Sequence, residues 1–341
     1  MKVIRKMPGI EELRREYALT DEQAKARAAR IGELEAILAG RDKRKIVCIG
    51  PCSADREDAV LEYMERLTAL QEQVRDKLLL VPRVYTGKPR TTGSGYKGLL
   101  HRPHAREEDN LAEGVKAVRC LHLRVIQQTG LFAADEMLYP ELFAYFSDLL
   151  CYAAVGARSV EDQGHRLAAG SLSIPVGMKN PMSGELTTLM NSIRAAQLPQ
   201  SMVQQGYEIR TDGNPYAHAI LRGYVDHGAN MPNYHYETLC TFHDMLNKSG
   251  LSNIGVVIDC NHSNSDKNPD EQPRIAREVF GLMREDRAMA GLIKGLMVES
   301  YLQDGKQLEG GTVYGKSVTD ACLGWDKTKK LLYELAESSW S

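Results

Sequence analysis

Short apolar runs alternate along this chain with longer stretches in which apolar residues recur every three or four positions, and from residue 45 the alternation continues to the C-terminus. Short apolar runs bounded by turn formers indicate buried strands, and a 3.6-residue period between them indicates helices packed on a sheet. The predicted strands are Ile46–Ile49, Leu78–Val84, Leu131–Ala134, Ala153–Ala157 and Ile174–Met178. The sixth is either Ser201–Gln205 or Ala219–Leu221, with a polar hairpin-like insert between them; Gly255–Ile258 is the seventh, and Gly291–Val298 contains the eighth. Helical patterns such as Asp58–Arg75 and Pro269–Met283 separate them. Strands alternating with helices predict βα units and a parallel sheet in one catalytic domain, residues 45–341. Residues 1–44 predict a helical arm, expected to pack on a neighbouring surface or subunit. Thr20-Asp-Glu-Gln23 fits a capping box, Gly40 a helix stop, and Ile31, Leu34 and Ile37 share one face.

The ends of the runs carry the chemistry. The first leads into Gly50-Pro-Cys-Ser53, and the second contains Arg83 and leads to Lys88-Pro-Arg-Thr-Thr92. The others end at Asp135-Glu136, Arg158, Lys179-Asn180, Arg222-Gly223, Asp259-Cys-Asn-His262 and Glu299-Ser300. In a closed (β/α)8 TIM barrel all strand C-termini ring one mouth, which is where such barrels place their active sites. Arg83, Lys88, Arg90, Arg158, Lys179 and Arg222 would converge there. Guanidinium forks and ammonium charges in that number call for two phosphates, or a phosphate and a carboxylate. Singly, each would be an ordinary solvated charge; the set at strand ends is what argues for an anion site. Cys52, His262, Glu299 and Asp320 offer thiolate, imidazole and carboxylate donors, a mixture suited to Mn, Fe, Zn or Cu rather than to Mg or Ca alone. The competing reading is a packed cysteine and a histidine capping a strand end.

Composition narrows the class. The chain has 341 residues, 43% of them hydrophobic, which supports a large core, and a formal charge of -2, which argues against general nucleic-acid affinity. No apolar run is long enough to span a membrane, and Met1–Glu16 is charged where a signal peptide would be apolar. Seven scattered cysteines do not form a disulfide framework, and the expectation is a cytoplasmic protein. Gly310–Ser317 matches the P-loop pattern but follows polar loop, so no nucleotide or other organic cofactor is expected. The His101-x-x-His104 pair falls in a loop and is expected to be solvated.

Gly50-Pro-Cys-Ser53, Arg83-Val-Tyr, Lys88-Pro-Arg-Thr-Thr92, Gly156-Ala-Arg158, Pro175-Val-Gly-Met-Lys-Asn180, Ile220-Leu-Arg-Gly223, Asp259–Asn264, Met297-Val-Glu-Ser300 and Tyr314–Cys322 together resemble type I alpha 3-deoxy-D-arabino-heptulosonate 7-phosphate (DAHP) synthases, colinearly from about residue 45 onward. The resemblance implies condensation of phosphoenolpyruvate with D-erythrose 4-phosphate, the entry to the shikimate and chorismate pathway. It implies metal ligation by Cys52, His262, Glu299 and Asp320, and phosphoenolpyruvate binding by Arg83, Lys88, Arg158, Lys179 and Arg222. Arg90 and Thr91 would bind the erythrose 4-phosphate, Glu136 would sit near the enolpyruvate, and a homodimer or homotetramer is implied. Lys88 is expected to be a proton donor with its pKa lowered by neighbouring cations. Three departures stand out: Asn261 replaces the usual serine, the loop around Gly93–Gly95 gains a residue, and Leu198–Asn214 is shortened where regulated relatives form a longer effector-binding hairpin. Ser173 matches a position of the effector pocket, but feedback by an aromatic amino acid is expected to be weak or absent. The alternatives are a Kdo 8-phosphate synthase-like condensation on arabinose 5-phosphate, a Schiff-base aldolase using Lys179, and a non-catalytic regulatory relative.

Overall fold

A computed structural model of the chain describes all residues except 89, 91–94, 104–107, 205, 254, 339 and 341. Eight parallel strands are present: β1 (Lys45–Gly50), β2 (Leu78–Pro82), β3 (Ala134–Glu136), β4 (Tyr152–Val155), β5 (Val176–Lys179), β6 (Ala217–Leu221), β7 (Val256–Asp259) and β8 (Ile293–Glu299). They are hydrogen-bonded in the order β2-β1-β8-β7-β6-β5-β4-β3. A parallel bridge from Arg83 to Ala134, with the Val84 amide donating to the Ala134 carbonyl, joins the two ends and closes the barrel. Because helices cover the outside and side chains fill the inside, strand residues are buried on both faces; β1, β2, β6 and β8 are buried at every position. Inside the barrel, the Tyr152 hydroxyl lies 2.9 Å from His218 Nε2. Gly177 makes that possible, since a Cβ there would meet the Tyr152 hydroxyl at 2.2 Å.

The sixth barrel strand is Ala217–Leu221. Gln200–Gln204 pairs antiparallel with Tyr207–Thr211 outside the barrel, as its alternating burial, against uniform burial in β6, shows. The remaining strands overlap the expected runs with shifted ends: β2 and β4 stop two residues short of them, at Pro82 and Val155, and β3 shares only Ala134 with its run and continues to Glu136. Helices Glu57–Val74 and Gln272–Glu285 occupy the two helical patterns, the second entered through a 3-10 turn at Pro269–Glu271.

The arm consists of helices Ile10–Glu16 and Asp21–Leu38. Thr20 and Gln23 form the expected capping box, and Gly40 follows at φ +74°. The second helix buries Ile31, Leu34, Ile37 and Leu38 in the same core as the strands. Arg27 donates to the carbonyls of Ser147 and Leu150, just ahead of β4, so the arm packs at the barrel's N-terminal end, away from the mouth.

Candidate active site

At the C-terminal ends of the strands a cavity of about 240 Å³ opens. Seven basic side chains line it: Arg83, Lys88, Arg90, Arg158, Lys179, Arg222 and Lys267. The only carboxylates lining it, among the described residues, are Glu136 and Asp320. The backbone explains the convergence. Arg83 directly follows β2, Lys179 and Glu136 are the last residues of β5 and β3, and Arg222 directly follows β6. Asn180 fixes the last of these, its Oδ1 accepting from the Arg222 amide and its Nδ2 donating to the Gly223 carbonyl. Gly156 leaves room for Glu136, because a Cβ there would lie 2.7 Å from Oε1.

The cations are only partly neutralised. Lys179 lies 3.7 Å from Glu136 Oε2 and 3.7 Å from Asp259 Oδ2. Burial opposes the charge of Glu136, but Lys179, Lys88 and Arg83 outweigh it and hold its pKa low. Arg83 is 1% exposed, stacks over the Tyr85 ring at 3.8 Å, and donates through Nη2 to Glu299 at 2.6 Å. Its Nη1 is buried without a partner among the described residues. Burial pulls the Arg222 pKa down, and nearby Arg158 adds to the effect. A buried donor left unpaired and guanidinium charge held against desolvation are both relieved by an anionic ligand.

Beneath this cage lies a donor cluster. Cys52, two residues past β1, Glu299, at the end of β8, and Asp320, in the following loop, place ligand atoms within 4.8 Å of one another. His262 completes the neighbourhood, its Nε2 4.0 Å from Glu299 Oε1. His262 has φ +51°, unusual for a side-chain-bearing residue, and its Nδ1 lies 2.8 Å from Asp259 Oδ2. The contact is a charge pairing rather than a hydrogen bond, since neither Nδ1 nor Oδ2 has a hydrogen-bond partner among the described residues, and Nε2 lies on the Glu299 side of the ring. Burial opposes the charge of Asp259, yet His262 and Lys179 hold its pKa far below the usual range. Burial likewise opposes Asp320, but Lys267, 3.2 Å away, and Lys88 bring it down to about 2. Burial and Glu299 push the Cys52 thiol up, while Lys88 pulls it down. The buried Cys52 and Glu299 with the partly exposed Asp320, and His262 beside them, bring thiol, imidazole and two carboxylates together, a donor set that suits a divalent transition ion.

Lys88 differs from the sequence-based expectation. Its Nζ donates to the Cys52 carbonyl at 2.7 Å and lies 3.2 Å from Cys52 Sγ. Burial lowers its pKa, but Cys52 and Glu299 outweigh burial and neighbouring Arg83, and the net shift is upward. The expectation of a lowered pKa counted the cations of the mouth and missed the anionic floor.

Arg90 lines the cavity, its Nε donating to the Tyr96 carbonyl at 2.7 Å. Thr91 lies outside the described residues, as does His104. Ser173 is not at the mouth; it lines a second cavity of about 280 Å³ together with Arg14 and Arg27 of the arm and Gln204 of the outer hairpin. Lys267 was not singled out from sequence, and Asp259 and Asn261 were noted only as part of a polar strand end and as a departure from the usual serine. Their proximity to His262 was the available signal, but a charged or amide residue beside a candidate ligand has no distinguishing pattern until the turn is seen.

The chain matches the family model described as the DAHP synthetase I family over residues 18–333. It belongs to that family. It is 38% identical over 334 residues to the Salmonella typhimurium protein named Phospho-2-dehydro-3-deoxyheptonate aldolase, Tyr-sensitive, covering 95% of this chain and 91% of that protein. To the Phe-sensitive protein of Escherichia coli of the same name it is 41% identical over 313 residues, covering 89% and 85%. A solved structure of Phospho-2-dehydro-3-deoxyheptonate aldolase from Francisella tularensis superposes with a TM-score of 0.92 at 30% identity, covering 99% of this chain and 98% of that one. The DAHP synthetase I fold thus extends over the whole barrel and its arm.

Proposed function

We propose that this chain is a metal-dependent 3-deoxy-7-phosphoheptulonate synthase, joining phosphoenolpyruvate and D-erythrose 4-phosphate with water to give DAHP and phosphate. The observation that carries the reading is the cage of seven basic side chains over the Cys52, Glu299 and Asp320 cluster, in a member of the DAHP synthetase I family. Arg83, Lys88, Arg158, Lys179 and Arg222 bind phosphoenolpyruvate, whose phosphate and carboxylate answer the excess positive charge. Arg90, with Thr91, takes the phosphate of the sugar.

Cys52, His262, Glu299 and Asp320 hold the ion, which when bound supplies electrophilic polarisation of the aldehyde carbonyl. The new bond forms between the methylene carbon of the enol and the aldehyde carbon. Water adds at the carbon bearing phosphate, and phosphate leaves with the C–O bond. The Arg and Lys cage stabilises the charge on both substrates and on the departing phosphate. Glu136 is a negative charge beside the enolpyruvate, suited to the positive charge that develops at its phosphate-bearing carbon.

Lys88, over the metal ligands with its pKa raised, is protonated at neutral pH and serves as proton donor to the alkoxide. Lys88→Arg keeps the charge but not a transferable proton, and turnover is expected to fall by ~10²- to 10⁴-fold. Turnover near that of the parent enzyme, measured with both substrates saturating, rules the role out.

Lys179 lies 3.7 Å from each of two carboxylates, a position that supports an anion-cage role over that of a Schiff-base nucleophile. The substrate test is direct: phosphoenolpyruvate is consumed with D-erythrose 4-phosphate, releasing one phosphate per DAHP, and is not consumed with arabinose 5-phosphate. Consumption with the five-carbon sugar alone would favour the Kdo 8-phosphate reading.

Feedback by aromatic amino acids is expected to be weak. Of the described residues of the outer hairpin only Gln204 lines the cavity around Ser173, while Val203 and Tyr207 face solvent. Titration of the assay with phenylalanine, tyrosine and tryptophan checks this, and strong inhibition at low micromolar concentration contradicts it. The enzyme is further proposed to work in the cytoplasm as a homodimer or homotetramer. Among the described residues no helix is long and apolar enough to cross a membrane.

A further inference from the structure

Both oxygens of the buried Glu299 carboxylate have partners. Oε1 accepts from Arg83 Nη2 at 2.6 Å and lies 4.0 Å from His262 Nε2. Oε2 accepts from Asn261 Nδ2, and Asn261 is fully buried. The amide can point only one way, because an ionised carboxylate only accepts and must take the NH2 group, leaving Oδ1 to accept from the Ser265 hydroxyl at 3.0 Å. The Asn261 backbone is fixed as well, its amide donating to Asp259 Oδ1 at 2.9 Å. Gln272 holds the Glu299 backbone from both sides, donating to its carbonyl at 2.9 Å and accepting from its amide at 2.8 Å. Glu299 can therefore neither rotate nor offer both oxygens to one ion without giving up the Asn261 bond.

We propose that Asn261 is a positioning residue for the metal site. By occupying Oε2 it leaves Oε1, the oxygen facing His262, as the single ligating oxygen of Glu299, and so sets the affinity and coordination of the ion. This rests on the metal-site reading given above. Single-oxygen ligation favours a small transition ion of low coordination number over a large ion that collects bidentate carboxylates. The chain Ser265–Asn261–Glu299 is an outer shell of the kind that orients ligands and whose loss weakens metal binding.

The test uses the full chain stripped of metal by chelator. Mn2+ affinity is measured by calorimetric titration, and the visible spectrum of the Co2+-loaded protein reports the coordination geometry. Asn261→Ala is expected to weaken Mn2+ binding about 10- to 100-fold and to shift the Co2+ bands. Ser265→Ala, which leaves Asn261 Oδ1 without its donor and so loosens the side chain, is expected to act in the same direction and to a smaller extent; it carries the test alone if the thermal melt shows that Asn261→Ala does not fold. Cys52→Ala serves as the control, expected to lose Mn2+ binding. Parental affinity and a superimposable Co2+ spectrum in the folded Asn261 or Ser265 variants, with binding lost in Cys52→Ala, overturns the role of Asn261. Mn2+ binding that survives in Cys52→Ala overturns instead the metal site on which the role depends.

Discussion

Cys52→Ala is expected to abolish synthase activity, by ~10³-fold or more, while leaving the barrel folded. The side chain is fully buried in the donor cluster, within 4.8 Å of the ligand oxygens of Glu299 and Asp320, and under Lys88. An alanine there removes one donor and leaves only a small cavity, while the bonds of Arg83, Asn261 and Gln272 to Glu299 remain. The stabilisation a bound ion gives to charge on a substrate oxygen is several kcal/mol, and each 1.36 kcal/mol is about tenfold in rate. His262→Ala is expected to behave alike, since its Nε2 lies 4.0 Å from Glu299 Oε1 in the same site. The check is turnover at saturating substrates with excess Mn2+, beside a thermal melt. A folded Cys52→Ala enzyme with parental turnover removes the thiol from the mechanism.

The second large effect concerns stability. Arg83 and Glu299 form an ion pair at 2.6 Å, with side chains 1% and 0% exposed. Each holds the other's charge against desolvation: burial opposes both ionised forms, and their mutual attraction outweighs it, raising the Arg83 pKa and lowering that of Glu299. Such a pair contributes little against an apolar replacement of both partners, but removing one partner strands a buried charge at a cost of about 3–5 kcal/mol. Arg83→Met is expected to lower unfolding stability by that amount in an equilibrium urea melt and to raise the KM for phosphoenolpyruvate. Adding Glu299→Gln to it recovers most of the stability, since no charge is left unpaired, and recovers none of the activity. An Arg83→Met variant as stable as the parent contradicts the coupling.

The barrel was legible from the alternation of runs, and the strand boundaries differ from the sequence reading in an instructive way. The apolar runs end at Ala134, Met178, Ile258 and Val298, whereas the strands continue to Glu136, Lys179, Asp259 and Glu299. Hydrophobicity stops where the chemistry begins, and the sheet does not. The buried charges at these ends are supported by partners that are distant in sequence. Asp135, for example, accepts from the Thr86 amide and hydroxyl. The ambiguity at the sixth strand had a related cause: Gln200–Gln204 has strand character but alternating exposure, and a single run cannot reveal which sheet it joins. Most of the residues gathered at the mouth were legible because they lie at strand ends. The partners of Asp259, Asn261 and Lys267 were not, because they depend on the left-handed turn at His262 and on contacts to Glu299 and Asp320 across the mouth. The upward shift of Lys88 was hidden for the same reason, since the cluster that causes it assembles from three separate loops and strand ends.

The measurement that bears most directly on the central claim is phosphoenolpyruvate consumption in the presence of D-erythrose 4-phosphate, first with EDTA and then with added Mn2+. The account predicts that EDTA stops consumption and that Mn2+ restores it in the parent enzyme but not in Cys52→Ala. Consumption that continues undiminished in EDTA would contradict it.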